Sequence, residues 1–189
     1  MDFSFLIVSD TARPDFFKPR EIVNKGRLDV IARFILSSIE GNTLRKPVNI
    51  LVALLGDKEK QIIYTLNENI FSKNITEPLI AKKISQIMKN ELRVQQEQIS
   101  ANTWKQIKNN YNLVLLATEG KQYFQLKKEI NEKSMKKEIL FIFGAQNDVP
   151  NIVLNNLCPH YLLTLGKKQY LASQASTILR YILTIQPIN

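Results

Sequence analysis

The sequence predicts an α/β protein in which a mostly parallel sheet is flanked by helices. Two short apolar runs, 139–143 and 161–165, end at Gly144 and Gly166. Short apolar runs bounded by glycine are typical of strands that are buried on both faces. After the second run, apolar residues recur at helical spacing over 171–183. Because ligands of parallel sheets bind where the carboxyl ends of strands meet loops, we expect the site at the two glycine-terminated loops.

Length and composition predict one domain that covers residues 1–189. The formal net charge of +9 favours a polyanionic partner such as RNA, with a merely solubilising lysine-rich surface as the alternative. The lone Cys158 excludes an internal disulfide and a cysteine metal cluster, and it fits a cytoplasmic location. We expect no signal peptide and no membrane partner, because no apolar stretch approaches the ~18 residues of a membrane span.

Apolar runs predict three strands in the first half of the chain, at residues 3–8, 48–55 and 62–66. The last two are expected to form a hairpin across the turn that begins at Gly56. Two prolines predict an irregular basic loop over residues 9–23, since proline fits neither a helix interior nor a central strand.

A helix is predicted to run from Leu28 to Gly41, with Leu28, Ile31, Ile35 and Ile39 on its apolar face. Three charged residues, Arg27, Asp29 and Arg33, fall away from this face. Asp29 and Arg33 are four residues apart, so one interpretation is a helical ion pair of about 0.3 kcal/mol. The alternative is an acid and two arginines that face RNA.

In the second half, Thr76 and Pro78 predict the start of a helix. Trp104 is interpreted as a packing anchor of a polar helical segment. The run 113–116 fits either a strand or a buried helical turn, and it is expected to break at Gly120. Residues 123–126 are predicted to form a strand, followed by a solvated connector over 127–137.

The motif search excludes several classes of enzyme. The chain has neither a glycine-rich phosphate loop with Lys-Ser or Lys-Thr nor a dinucleotide fingerprint. Its single histidine, His160, excludes a serine–histidine hydrolase and a multi-histidine metal site, so we expect no metal and a structural role for His160. Lys167 and Lys168 precede a helix, where cations oppose the helix dipole. They are therefore either held for an anionic ligand or simply well exposed.

The chain resembles the archaeal SPOUT-class methyltransferases that act on N1 of a pseudouridine in tRNA. The most specific match is Gly26-Arg27-Leu28-Asp29 with Arg33. The other matching pieces follow in the same order over nearly the whole chain: the strand at 48–55, residues 123–126, Phe141-Ile142-Phe143-Gly144, Leu163-Thr164-Leu165-Gly166, and the helix with Ala172 and Ala175.

This resemblance implies a SPOUT-type fold with a C-terminal trefoil knot, a homodimer, and methylation of N1 of a pseudouridine in the T arm of tRNA. A homodimer is also expected because the helix over 171–183 is too apolar for a free surface. By position, the resemblance implies that S-adenosylmethionine binds among Leu126, Gly144, Leu163, Thr164, Leu165, Gly166, Lys167, Lys168 and Ala175.

The resemblance also places Arg27, Asp29 and Arg33 toward the RNA. Asp29 is the candidate general base, but the two arginines would lower its pKa, so an orienting role on the uracil edge is an equal alternative. The chain departs from the family pattern at Ala145, at Gly166-Lys167 and at Ala175, which affects side-chain contacts more than backbone contacts. Two other functions stay open: another RNA methyltransferase of the same fold, acting on a ribose 2′-hydroxyl or a different base, and a non-enzymatic RNA-binding relative.

Overall fold

The structure, a computed structural model, describes residues 2–39, 47–71, 75–132 and 137–185. The predicted helix end at Gly41 lies outside these residues. The strands are β1 (Phe3–Ser9), β2 (Asn49–Leu54), β3 (Ile62–Asn67), β4 (Gln95–Gln98), β5 (Tyr111–Gln122), β6 (Glu138–Gly144) and β7 (Tyr161–Thr164). The α-helices are α1 (Leu28–Ile39), α2 (Glu77–Met88), α3 (Ala101–Asn110), α4 (Tyr123–Glu132), α5 (Asn151–Leu157) and α6 (Ala172–Ile185).

The strands form one sheet in the order β4-β3-β2-β1-β6-β5-β7. Strands β1, β2, β5, β6 and β7 run parallel, whereas β3 is antiparallel to both of its neighbours. The predicted mostly parallel α/β fold is therefore confirmed, as is the hairpin of β2 and β3. Because the parallel strands share one direction, the loops that follow them lie along the same edge of the sheet, which we call the carboxyl edge.

Helices cover both faces of the sheet. Alternate residues of β1 face opposite sides, so that Phe5 and Ile7 join the larger core while Leu6 and Val8 join the smaller one. Residues of α1, α2, α4 and α6 line the larger core, and residues of α3 and α5 line the smaller one. Trp104 is 5% exposed in the smaller core, which confirms its predicted packing role.

A cluster of four phenylalanines packs α1 against the centre of the sheet. Phe5 of β1 is in register with Phe141 of β6, and Phe143 lies two residues further along. The ring of Phe34 in α1 packs against Phe143 with centroids 4.9 Å apart, and Phe5 packs against Phe143 at 5.6 Å. These edge-to-face contacts fix α1, and with it the charged residues of its first turns, relative to β1 and β6.

The predicted strand at residues 123–126 is wrong, because these residues begin helix α4. Tyr123, Leu126 and Ile130 are all buried, and their spacing of three and four residues places them on one helical face. The helix continues to Glu132, so the predicted connector over 127–137 is also wrong at its start. A four-residue apolar window is too short to show this period, which appears only when Ile130 is included.

The ambiguous run 113–116 is part of strand β5, which continues to Gln122, so the expected break at Gly120 is wrong. Leu163 of β7 is in register with both Leu116 and Lys121, and residues 117–120 therefore fall out of the regular register. A Cβ atom at Gly120 would lie 2.5 Å from the carbonyl carbon of Leu163, so only glycine allows this approach of β5 to β7. The trefoil knot implied by the resemblance stays a prediction.

Four short elements were missed: strand β4, helix α5 and the 3₁₀ helices Pro19–Asn24 and Glu68–Ile70. Strand β4 pairs with β3 at the outer edge of the sheet, and all four of its residues are exposed and polar. The predicted irregular loop after β1 contains a 3₁₀ helix, Pro19–Asn24. Its proline stands at a helix start, where a missing N–H group removes no hydrogen bond.

Helix α6 packs along α1. Its buried face includes the predicted Ala175 and Leu179, whereas Leu171 precedes the helix and is 62% exposed. Polar contacts join the two helices: the hydroxyls of Ser37 and Ser176 lie 2.5 Å apart, and Arg180 Nη1 donates to the Ser37 carbonyl at 3.3 Å.

Within the described ranges, no helix is both long enough and apolar enough to cross a membrane. The cytoplasmic location stays a prediction.

We predict that Phe34→Ala lowers the free energy of unfolding by about 3–5 kcal/mol, because it leaves a cavity in the aromatic cluster. Phe124→Ala is the matched control, since Phe124 is 60% exposed on α4 and should change stability by less than about 1 kcal/mol. Urea unfolding followed by circular dichroism measures both values. Equal losses for the two variants would contradict the packing of Phe34 against Phe5 and Phe143.

Candidate functional site

The carboxyl edge is organised around Thr11, which follows β1. The Thr11 hydroxyl donates to the carbonyl oxygen of Gly26 at 2.9 Å. A Cβ atom at either Gly26 or Gly56 would collide with the Thr11 carbonyl oxygen. The loops after β1 and β2 and the segment that leads into α1 are thus held against one peptide group.

An acid and two arginines meet where α1 begins. Arg27 contacts both oxygens of Asp29, with Nε 2.9 Å from Oδ1 and Nη2 3.1 Å from Oδ2. Arg33 Nη2 donates to the same Oδ2, and Arg33 Nε lies 3.5 Å from Glu77 Oε1 of α2. The ion pair that the four-residue spacing predicts is therefore present, and Arg27 joins it.

Asp29 does not fall away from the buried side of α1, as its position relative to the apolar stripe had suggested. It is only 3% exposed, whereas Arg27 is exposed and Arg33 is half-buried. Three guanidinium hydrogen bonds from the two arginines satisfy the carboxylate, which makes its burial acceptable. The apolar stripe of α1 alone does not predict that arginine hydrogen bonds allow Asp29 to be buried.

The arginines decide the protonation state of Asp29. Burial is the largest single influence and raises the pKa of Asp29, but the hydrogen bonds and charges of Arg27 and then of Arg33 together lower it below the ordinary value. The Asp29 hydrogen bond and charge also raise the pKa of Arg27. A carboxylate with a lowered pKa is a weak proton acceptor, so this geometry favours an orienting role for Asp29 over general-base catalysis.

Arg27 has a strained backbone. Gly26 and Arg27 have φ angles of +65° and +62°, so two consecutive residues are left-handed immediately before α1. Glycine adopts this conformation freely, but a left-handed arginine costs about 1–2 kcal/mol. Such strain persists where surrounding contacts hold it, and it is concentrated at functional sites.

The loop after β6 reaches back to β1 through a contact that sequence reasoning missed. Asn147 Nδ2 donates to both oxygens of Asp10, at distances of 3.2 and 3.1 Å. A Cβ atom at Gly144 would collide with the Asn147 carbonyl oxygen, so Gly144 permits the tight turn that places this amide. Asp10 is exposed, and it adjoins Thr11.

The loop after β7 is braced by Thr164. Its hydroxyl oxygen lies 3.1 Å from the Thr118 carbonyl oxygen and 3.0 Å from the Gly166 carbonyl oxygen, and it accepts the Gly166 N–H at 3.1 Å. Gly166 has a φ of +132°, which strongly favours glycine. Lys167 and Lys168 are exposed beyond it.

The remaining predicted cofactor residues are mostly in the core. Leu126 and Leu163 are completely buried and Ala175 is 7% exposed, whereas Leu165 is half-buried beside Thr164. The structure therefore brings Gly144 and the 163–168 loop to the carboxyl edge on either side of β5. Leu126 and Ala175 lie in the first turns of α4 and α6 and belong to the same apolar core as Leu163.

The loop between β1 and α1 is pinned to α2. Phe17 is buried in the larger core, and its carbonyl accepts the Ser85 hydroxyl at 2.7 Å. The neighbouring Phe16 is 44% exposed, and Lys89 Nζ lies 4.4 Å from its ring centroid. An exposed aromatic ring and a cation therefore lie together on the surface at the end of α2.

Among the residues that the structure describes, no group of His, Cys, Asp and Glu side chains could hold a metal ion. His160 has contacts that suit the structural role we expected. Its backbone N–H donates to the Leu113 carbonyl at 3.0 Å, and its Nδ1 accepts the Leu113 N–H at 3.4 Å.

The fold is similar to a solved structure over its full length. Nep1 of Archaeoglobus fulgidus, crystallised with bound S-adenosylhomocysteine, superposes with a TM-score of 0.69, covering 100% of this chain and 99% of Nep1. The sequence identity is 12%, so the likeness shows a shared fold. No family model matches the chain, and no curated protein matches it either.

We predict that Asp29→Asn lowers the free energy of unfolding by about 2 kcal/mol at pH 7, because charge-assisted hydrogen bonds to both arginines are lost. The folded-state pKa of Asp29 is below its ordinary value, so its contribution is present above the unfolded-state pKa near 4 and is lost as the pH falls through the lower folded-state pKa.

Thermal unfolding of wild type and Asp29→Asn between pH 7 and pH 2 measures this effect. The two curves should converge at the acid end of the range. A constant difference down to pH 2 would show that Asp29 stabilises the fold without its charge.

Proposed function

We propose that the protein is an S-adenosylmethionine-dependent RNA methyltransferase that acts on N1 of a pseudouridine in the T arm of tRNA. The observation that carries the proposal is the full-length likeness to Nep1, a protein crystallised with S-adenosylhomocysteine. The Gly26-Arg27-Leu28-Asp29 segment and the glycine-terminated loops, which carry the sequence resemblance, lie at one edge of the sheet and support the same assignment.

The residues at the ends of β6 and β7 fit a cofactor of this kind. A Cβ atom at Gly166 would meet only the Tyr170 hydroxyl, 4.0 Å away, so the backbone of this loop is open to a ligand. The half-buried Leu165 offers apolar contact, and exposed peptide groups of the loop can bind the edge of an adenine. S-adenosylmethionine would supply an electrophilic methyl group there, with Gly144 and the 163–168 loop as its main contacts.

The first turns of α1 suit the RNA. Arg27 and Arg33 keep part of each guanidinium exposed while Asp29 fixes their direction, so both can bind a phosphate or an anionic base edge. At the end of α2, Lys89 and Phe16 offer a further cation and a ring on which a base could stack. The net charge of +9 adds attraction to the phosphate backbone.

Methyl transfer to N1 requires that a proton be removed and that the resulting charge be stabilised. N1 of pseudouridine carries a proton and becomes a good nucleophile only when that proton leaves. Arg27 and Arg33 would hold the nucleotide and stabilise negative charge as it spreads over the ring. The lowered pKa of Asp29 keeps its carboxylate charged, and the charged carboxylate holds these two arginines in place.

We predict that the purified protein binds S-adenosylhomocysteine without added metal and transfers a methyl group from S-adenosylmethionine to N1 of a T-arm pseudouridine. Calorimetry measures the binding, and nucleoside mass spectrometry of treated tRNA identifies the product. If the product were instead a methylated ribose or a different methylated base, the protein would be an RNA methyltransferase with another target position. A protein that binds tRNA but shows no heat with millimolar S-adenosylhomocysteine would be an RNA-binding protein rather than an enzyme.

We further propose a homodimer through α6. While one side of α6 packs on α1, its other side leaves Tyr181 and Ile185 67% and 56% exposed, with Ile178 and Ile182 half-buried beside them. Four apolar residues at spacings of three and four form a continuous stripe that water covers poorly.

We predict that light scattering at micromolar concentration gives the mass of a dimer, and that Tyr181→Lys with Ile185→Lys gives that of a monomer. Ile152→Lys is the matched control, because Ile152 is 67% exposed on α5 across the sheet and should leave the dimer intact. A monomeric wild type would refute the proposed assembly.

A further inference from the structure

A second carboxylate at the carboxyl edge, that of Asp10, is accessible to a ligand, whereas the carboxylate of Asp29 is not. Asp10 is exposed, and within the described part of the chain it is in no ion pair. By contrast, Asp29 is buried and contacts two guanidinium groups. A group that must accept a proton from a bound nucleotide has to reach it, and Asp10 satisfies this condition.

The position of Asp10 is well defined. It follows β1, which lies between β2 and β6, and the adjoining Thr11 is packed against the Gly26 peptide that precedes Arg27. On its other side, the Asn147 amide holds both carboxylate oxygens from the loop after β6. Asp10 therefore stands between the arginine cluster, proposed to bind the nucleotide, and the loop at Gly144, proposed to bind the cofactor.

We propose that Asp10 is the residue that recognises and deprotonates N1 of the target pseudouridine, an inference that rests on the proposed function. The Asp10 carboxylate accepts a hydrogen bond from N1–H. In the reaction the N1–H bond breaks, its proton passes to an Asp10 oxygen, and its electron pair remains on N1. Asn147 donates to the carboxylate and keeps it facing the base, which makes it a positioning residue.

The same contact would select pseudouridine over uridine. Where pseudouridine has N1–H, the ring of uridine presents a C–H group, which leaves a carboxylate without its hydrogen bond. Once the bound base covers Asp10, a carboxylate that faces this C–H group has lost one hydrogen bond and the water that would replace it, which disfavours uridine. Asp10 is thus expected to determine specificity at the binding step as well as reactivity.

The binding test needs no methyl donor. Fluorescence anisotropy compares wild type with Asp10→Asn on two labelled T-arm hairpins that differ only in pseudouridine or uridine at the target. We expect wild type to prefer pseudouridine about tenfold or more, and Asp10→Asn to lose this preference. Asp57→Asn is the matched control on the same edge, since its carboxylate accepts the Glu59 N–H within its own turn at 2.9 Å. An equal preference in wild type and Asp10→Asn would overturn the proposal.

The kinetic test separates proton transfer from a structural role. Turnover by Asp10→Asn should fall ~10²-fold or more while affinity for S-adenosylhomocysteine is unchanged. Formate should restore part of the activity of Asp10→Gly, because it can replace the missing carboxylate. If Asp10 only anchors the loop, Asn147→Ala would match the loss, cofactor affinity would fall and formate would have no effect, which would overturn the proposal.

The two variants Asp10→Asn and Asp10→Gly are checked for native circular dichroism, and Asp10→Ser replaces either one that fails to fold. An inactive wild type that still distinguishes the two hairpins through Asp10 would refute the proposed methyl transfer and leave this recognition role supported. An active wild type with a fully active Asp10→Asn would refute the proposed role of Asp10 in proton transfer and leave the proposed methyl transfer intact.

Discussion

The peptide group of Thr11 is the point on which the geometry of the candidate site depends. Its carbonyl oxygen lies so close to Gly26 and Gly56 that neither position has room for a Cβ atom. Since Gly26 leads into α1 and Gly56 follows β2, three separate segments are held against one residue at the end of β1. This close packing of backbone needs no side-chain precision, and it fixes Asp10 on one side of Thr11 and Arg27 on the other.

The second constraint is the charge of Asp29, because two opposing effects act on the pKa of this carboxyl group. Burying Asp29 disfavours its charge, and this is the largest single influence on its pKa, yet Arg27 and Arg33 together outweigh it. The left-handed backbone of Arg27 costs about 1–2 kcal/mol, which a bidentate, charge-assisted contact with a buried carboxylate can offset. Asp29 is therefore best understood as the group that holds two arginines toward solvent, and a buried acid used in this way is poorly suited to move protons.

Much of the fold could be predicted because its central strands are apolar and its main helices are periodic. Strands β1, β2, β6 and β7 and helices α1, α2 and α6 follow directly from those patterns. Strand β4 has no such signal, since Gln95–Gln98 is polar and exposed at the sheet edge and pairs only through its backbone. Helix α4 was not predicted because residues 123–126 alone also fit a strand. The helical spacing of buried residues becomes visible only when Ile130 is included.

The candidate site was predictable only in part, for a different physical reason. The spacing of Asp29 and Arg33 encodes their ion pair, because neighbours four apart on a helix must meet. The contact between Asp10 and Asn147 joins residues 137 positions apart and exists only because β1 and β6 are adjacent in the sheet. No local pattern contains that strand order. The environment of the exposed Asp10 therefore could not be predicted from the sequence, whereas the ion pair of the buried Asp29 could.

The charges of the chain divide into two kinds that would act on RNA at different stages. The 26 lysines and arginines exceed the 17 acids and create a field that attracts phosphate without regard to sequence. Attraction of this kind depends on exposed, mobile cations and falls steeply with added salt. Arg27 and Arg33 instead have fixed directions, since both are held by one buried acid, and that acid partly neutralises their charge at long range. They would therefore act on a nucleotide at close range. Phosphate contacts position a nucleic acid and contacts to base edges specify it. In this protein the second task would fall to the few polar groups at the carboxyl edge, where the arrangement of backbone around Thr11 leaves them in defined positions.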